Sequence, residues 1–194
     1  MDMRATVPVS WDSMGQGAWP IEALLRGDVL TLFERYVRIR LSSGTIPLEP
    51  GRGDAHSLYG DATVESLFGV LAPRVDHLLR GASPSYGYIR VYTQGSDLAP
   101  HVDRHGCDFT LTIALCGSLA GIGWPIHARM LNGKDVEYEQ QPGDGLLLRG
   151  REVRHWREPL ATGWAAYAFL HWVDEGRGAA RFDGRPGLGF GSSR

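Results

Sequence analysis

From residue 88 onwards the sequence is a succession of short runs rich in β-branched, aromatic and other apolar residues, each ended by turn residues, and this pattern leaves few folds open. The runs are YIRVYTQGSDLAPHVD (88–103, with a Gly-containing turn inside it), FTLTIALC (109–116), WPIHARML (124–131), DVEYEQ (135–140), DGLLLRG (144–150), VRHWRE (153–158) and WAAYAFLHWV (164–173). Seven or eight strands joined this closely predict an antiparallel β-sandwich closed as a double-sheet jelly roll. Asn132-Gly133 predicts a hairpin with a two-residue tight turn, in which both central positions take positive φ. Pro142-Gly143-Asp144 predicts a second turn, leading into the strand pair that carries His155.

The first part of the chain has a different rhythm. Residues 20–41 and 61–80 place apolar side chains at helical spacing, and Val64, Leu67, Phe68, Leu71, Val75, Leu78 and Leu79 form one stripe. These are expected to be helices packed on a sheet, with Asp61 as N-cap, Gly81 as the stop and Pro73 dividing the second stretch into two pieces. The intervening segment, 42–61, is rich in Gly and Pro and reads as a long loop able to cover substrate. The last residues, 176–194, hold too few apolar side chains for a core layer and read as a flexible tail or lid. The expected organisation over 1–194 is thus a single domain, mainly β with N-terminal helices: helical support over 18–81, a jelly-roll core over 86–174, and the tail.

Within the strand-rich part, His101 and Asp103 form a His-x-Asp pair, and His155 stands far along the chain in REVRHWREP. A strand alternates its side chains, so residues two apart project to one side and can grip one ion, with a third ligand supplied by another strand. Two neutral imidazoles and one carboxylate leave Fe(II) net positive charge and three open positions, as a metal binding both a cosubstrate and dioxygen requires. His-x-Asp alone is a weak signal in a chain with seven histidines; a surface histidine beside an aspartate is the plainer reading.

Composition excludes some classes of function. A formal net charge of −2 and the lack of a long basic run give no electrostatic case for nucleic acid. No window spans a bilayer, and the N-terminus lacks a charged start followed by an apolar stretch, so a cytoplasmic protein is expected. Cys107 and Cys116 are too few for a disulfide framework and are expected to be reduced thiols. Lys134 is the only lysine among twenty Lys and Arg residues, so anion binding falls to arginine.

Taken in order, HSLYGD, YIRVYTQGSDLAPHVDR, WPI, PGDGLLLRGREVRHWRE, FLHWVD and FDGRP resemble the prolyl-4-hydroxylase-like group of iron(II)- and 2-oxoglutarate-dependent oxygenases, in particular small bacterial and viral members, over residues 56–188. The resemblance implies a double-stranded β-helix, Fe(II) held by His101, Asp103 and His155, 2-oxoglutarate as the cosubstrate that chelates it, and dioxygen as the oxidant. The outcome is usually hydroxylation, with 2-oxoglutarate released as succinate and carbon dioxide. Related iron halogenases replace the carboxylate by Gly or Ala; Asp103 retains it, which implies a product that gains oxygen or is desaturated.

One departure from the family pattern matters. Members often carry Arg or Lys nine to eleven residues after the last histidine to pair with the far carboxylate of 2-oxoglutarate, and here those positions are Trp164, Ala165 and Ala166. A carboxylate in a partly dry barrel needs a cation. Strand alternation nominates Arg157, two residues after His155, against the plainer reading of a pair with Glu158. Arg90 is the second choice, sharing its parity with Tyr92, which matches a tyrosine that contacts the cosubstrate in related hydroxylases. Arg104 beside the metal pair is an outer partner of Asp103, a contact for an anionic substrate group, or simply exposed. Trp124, Trp156 and Trp172 read as core or pocket wall, and His171 as a hydrogen-bonded structural histidine. His105 and Cys107 match no paired zinc spacing.

Three classes of function remain: an oxygenase acting on a small molecule such as an amino acid or natural-product intermediate, or on a peptide or protein; a cupin-like isomerase or lyase using the same ligands; and a non-catalytic metal-binding module. An inward Arg favours the first. The substrate is not legible.

Overall fold

Eleven strands and three helices make up the described part of the chain, which in this computed structural model comprises residues 16–49, 55–118, 123–174 and 176. In chain order they are β1 (Ala18–Ile21), α1 (Gly27–Ser42), β2 (Leu48–Glu49), β3 (Ala55–Tyr59), α2 (Ala62–Glu65), α3 (Leu67–Leu79), β4 (Ser83–Thr93), β5 (Leu98–His101), β6 (Phe109–Gly117), β7 (Ile126–Arg129), β8 (Asp135–Tyr138), β9 (Gly145–Leu148), β10 (Arg154–Arg157) and β11 (Trp164–Val173). They form two antiparallel sheets, a seven-stranded one ordered β1-β9-β6-β11-β4-β3-β2 and a four-stranded one ordered β5-β10-β7-β8. This is the expected jelly roll, and every run read as a strand from the sequence contributes one.

Alternation explains how the large sheet is buried on both faces. On β4 and β11, Ile89, Val91, Ala166, Ala168 and Leu170 turn outward into one apolar cluster with Phe33 and Val37 of α1 and Leu67, Leu71 and Val75 of α3. Their neighbours of opposite parity, Tyr92, Ala165, Tyr167 and Phe169, turn inward with Trp124. All seven residues of the predicted helical stripe are buried. Full burial of such a side chain contributes about 1.5–3 kcal/mol, enough to fix the helices against the outer face.

Asp61 is the N-cap as expected, its carboxylate accepting from the amides of Thr63 and Val64. Elsewhere the structure corrects the sequence reading. The stretch 20–41 does not begin as a helix: Pro20 and Ile21 belong to edge strand β1, where proline costs little, and the helix starts at Gly27. Pro73 does not divide the second helix; the break lies at Ser66, and Pro73 sits inside α3. The bond it forfeits is to the carbonyl of Gly69, an exposed residue, so water can take that place. Segment 42–61 is not wholly loop, because β2 and β3 pair and β3 extends the large sheet beside β4. At the β7–β8 hairpin Gly133 alone has positive φ, and the amide of Met130 bonds to the carbonyl of Lys134, so the connection is three residues with glycine in the left-handed position. Pro142-Gly143 forms the expected turn, Asp144 N–H donating to Gln141 O and Gly143 at φ 95°.

The tail read as a lid lies outside the described residues apart from Gly176. Both cysteines are buried, and neither is in a disulfide. Among the described residues no helix is long and apolar enough to cross a membrane.

Candidate metal centre

The two histidines of the site are cross-strand neighbours. Antiparallel pairing of β10 with β5 sets His155 directly opposite His101, and their ring centroids are 4.4 Å apart. Each ring directs Nδ1 at the carbonyl two residues earlier, His101 to Ala99 at 2.9 Å and His155 to Val153 at 3.0 Å. A carbonyl can only accept, so Nδ1 carries the proton and Nε2 is left as the ligand atom on both rings. One local device, repeated on two strands, thus presents two imidazole lone pairs to one point.

Asp103 reaches that point by another route. β5 ends at His101, so strand alternation alone does not hold the carboxylate, as the sequence reading had supposed. Instead the Asp103 amide donates to Gly150 O at 2.8 Å, and the Thr110 hydroxyl donates to Asp103 Oδ2 at 2.5 Å. The other oxygen, Oδ1, lies 3.5 Å from His101 Nε2 and 3.7 Å from His155 Nε2, and the three ligand atoms fall within 4.8 Å of one another. Ligands about 2.0–2.2 Å from an ion stand about 3 Å apart at right angles, so small shifts close this face around one metal. Among the described residues this is the one group of three or more His, Cys, Asp or Glu arranged to hold an ion. Cys107 takes no part; its Sγ meets the Tyr86 hydroxyl at 3.3 Å, and His105 is exposed.

The electrostatics suit a cation. Burial opposes ionisation of Asp103, yet His155, His101, His171 and the Thr110 hydroxyl together hold its carboxyl well below the usual carboxylate range. Burial keeps His155 neutral, lowering its pKa against the pull of Asp103. At His101 burial acts in the same sense but the bond to Asp103 wins and raises it. One fixed negative charge beside two available nitrogens is the donor set of the three-ligand face.

Gly150 is part of that geometry. A Cβ there would strike Asp103 Oδ2 and lie 2.7 Å from both Cys107 O and Thr110 Oγ1. Gly150→Ala is therefore expected to displace the carboxylate and weaken metal binding at least ten-fold, with a stability loss of about 1–3 kcal/mol from overpacking. Metal titration together with thermal unfolding checks this; unchanged affinity would show that the carboxylate has room to move.

The centre opens on a cavity of about 430 Å³ bounded by the three ligand residues and by Tyr59, Tyr86, Tyr88, Arg90, Tyr92 and Phe169. Its wall is an aromatic stack: Tyr88 lies between Tyr59 at 4.5 Å and Phe169 at 4.8 Å, both close to parallel. Arg104 borders the mouth and is exposed. Arg90 borders the cavity but is already paired, with Glu49 Oε2 at 2.5 Å and Ser57 Oγ at 3.1 Å. Arg157 is buried behind this boundary, its guanidinium 4.2 Å above the Tyr167 ring and 4.8 Å above Trp124. It bonds to Trp124 O and, at 2.9 Å, to Gln140 Oε1, both neutral oxygens. Glu158 is not its partner but accepts from Trp156 Nε1 at 3.1 Å. Tyr92 connects the two regions: it borders the cavity, the charge of Arg90 and, less strongly, that of Arg157 act on it, and its buried hydroxyl meets no partner at good hydrogen-bond geometry among the described residues.

Of the tryptophans, Trp124 stacks edge-on to Tyr92 at 4.9 Å, Trp172 packs in the outer core against Phe68, and Trp156 lies on His127. The residues that sequence reasoning passed over are Thr110, Gly150 and Tyr88. Alternation along FTLTIALC would have put Thr110 inward, but nothing in one sequence says that a threonine meets a carboxylate.

No family model matches the sequence, and no curated protein matches it. Solved structures do match in fold. A prolyl-4-hydroxylase from Pseudomonas putida superposes with a TM-score of 0.72 at 14% identity, covering 84% of this chain and 95% of that one. A prolyl hydroxylase from Trichoplax adhaerens, solved with a peptide fragment of the hypoxia inducible factor oxygen degradation domain, gives 0.67 at 16% identity over 84% and 86%. SnoN, a non-haem α-ketoglutarate-dependent epimerase from nogalamycin biosynthesis, gives 0.65 at 14% identity over 82% and 79%. The chain shares the prolyl-4-hydroxylase-like oxygenase fold with these proteins.

Proposed function

We propose that this chain is an Fe(II)- and 2-oxoglutarate-dependent dioxygenase that oxidises a small molecule. The observation that carries the reading is the convergence of His101 Nε2, His155 Nε2 and Asp103 Oδ1 at the floor of a cavity, in a fold shared with enzymes of this class. The donor set fits Fe(II), and a bound Fe(II) supplies a place where dioxygen and the keto acid react together. The protein's own part is then positional. The paired carbonyl contacts of His101 and His155 fix the tautomer, and the carboxylate supplies the fixed charge.

The unpartnered Tyr92 hydroxyl supports a polar cosubstrate inside the barrel, since a buried hydroxyl without a partner costs about 1–3 kcal/mol until something bonds to it. Arg157, and failing it Arg90, would hold the far carboxylate. The aromatic wall of Tyr59, Tyr88 and Phe169 would take an apolar or flat part of the substrate. A small molecule fits a cavity of about 430 Å³; the hydroxylase bound to a peptide makes a peptide substrate the alternative, and because Asp103 occupies the position a chloride would need, the expected product gains oxygen or is desaturated rather than halogenated. Cytoplasmic location is part of the same proposal.

Anaerobic addition of Fe(II) and then 2-oxoglutarate is expected to produce the weak visible charge-transfer band of the chelate, and admission of air to convert 2-oxoglutarate slowly to succinate. A protein that binds Fe(II) but gives neither would be a metal site of another class, such as a cupin-like isomerase.

A further inference from the structure

We propose that Thr110 and His171 act as a positioning pair that confines Asp103 to ligation through a single oxygen. The inference rests on the metal-centre reading above and specifies how the chain keeps its third ligand from taking more than one coordination position.

Asp103 has two oxygens in different surroundings. Oδ1 faces both Nε2 atoms, while Oδ2 is held by the Thr110 hydroxyl at 2.5 Å. Thr110 is buried on β6, and its oxygen also lies 2.9 Å from His171 Nδ1. A hydroxyl has one proton, and here it points at the carboxylate. The contact with His171 is therefore an N–H donation from Nδ1 into the hydroxyl oxygen, which forces the threonine proton onto Asp103. Register secures this relay, because Thr110 and His171 are direct partners across β6 and β11. The imidazole packs in turn against Tyr86, at 4.7 Å, and Tyr88, at 5.7 Å and close to parallel.

The consequence is chemical. A carboxylate free to turn can chelate an ion through both oxygens, and a two-oxygen grip would fill a position that the cosubstrate or dioxygen needs. With Oδ2 committed to a donor, only Oδ1 is presented. The sequence reading of His171 as a hydrogen-bonded structural histidine is right about the bond and incomplete about its effect.

The test uses the whole chain loaded with Co(II), whose visible absorption reports coordination number, in four variants. Thr110→Val keeps the shape and removes the hydroxyl; Thr110→Ser restores it. His171→Asn keeps an N–H near the position of Nδ1, whereas His171→Leu removes it. Thr110→Val and His171→Leu are expected to change the Co(II) spectrum and to alter Co(II) or 2-oxoglutarate affinity by about 10–100-fold, the usual cost of an outer partner. Thr110→Ser and His171→Asn are expected to stay close to the wild type in both readouts. A wild-type spectrum and unchanged affinities for Thr110→Val would overturn the inference, as would His171→Asn behaving like His171→Leu, since packing alone would then explain the histidine. Failure of the wild-type chain to bind Co(II) at all would instead remove the metal-centre reading on which the inference stands.

Discussion

His101→Ala, Asp103→Ala and His155→Ala are each expected to abolish iron-dependent succinate formation while leaving the fold in place. Each removes one of three ligands, so the loss of metal affinity should exceed the roughly 10–100-fold that an outer partner costs. The fold should survive because all three side chains border the cavity, so truncating them enlarges a space that is already there. Their main stabilising bonds are few: two imidazole contacts to carbonyls two residues away and one carboxylate to Thr110. Loss of any one should change stability by about 1–3 kcal/mol in the metal-free protein. Metal titration, coupled 2-oxoglutarate and succinate assays, and unfolding midpoints measured without metal together separate a chemical defect from a structural one. Near-wild-type turnover by Asp103→Ala would refute the proposed three-ligand face.

Much of this was legible because jelly-roll strands are short, amphipathic and separated by strong turn residues. FTLTIALC and WAAYAFLHWV have the apolar content of strands buried on both faces, and they became β6 and β11, central in the large sheet. The stripe from Val64 to Leu79 was equally clear, since seven apolar residues on one face have no purpose outside a core. What failed was local and had local causes. β1 was absorbed into a helix because PIEALL has helical spacing, and pairing with β9 overrode that preference. β2 and β3 were hidden by the Gly and Pro around them, and β2, with two residues, has no period to detect. The ligand residues themselves could be named, but the reason Asp103 holds its place could not. It depends on Gly150 and Thr110, remote in sequence and brought together only by the fold.

Arg157→Leu is expected to raise the 2-oxoglutarate requirement by about one to three orders of magnitude with little change in iron affinity, because removing one side of a buried ion pair costs about 2–5 kcal/mol, part of which water recovers. The choice between the two arginines turns on their present partners. Arg90 borders the cavity but already has a carboxylate, Glu49, so a second anion there competes with an ion pair in place. Arg157 has a whole guanidinium buried on neutral oxygens and two aromatic faces. Exchanging the amide oxygen of Gln140 for a carboxylate gains a charge-assisted bond roughly twice as strong as a neutral one. Tyr92 feels the charges of both arginines, that of Arg90 more strongly, so its hydroxyl offers a further donor to an anion held by either. The family's usual cation would come from β11, where this chain has Ala165, and Ala165 pairs with Tyr92 and faces the same interior cluster. A cavity of about 230 Å³ adjoins it, bounded by Ala114, Trp124, Gln140 and Tyr167, which is room for a longer side chain. The double variant Arg157→Leu with Ala165→Lys should accordingly recover part of the lost 2-oxoglutarate affinity. Titration of 2-oxoglutarate into the Fe(II)-loaded variants without oxygen measures both effects. An unaltered requirement in Arg157→Leu, together with a large one in Arg90→Leu, would move the anchor to Arg90 and make the Glu49 pair a gate that the cosubstrate must open.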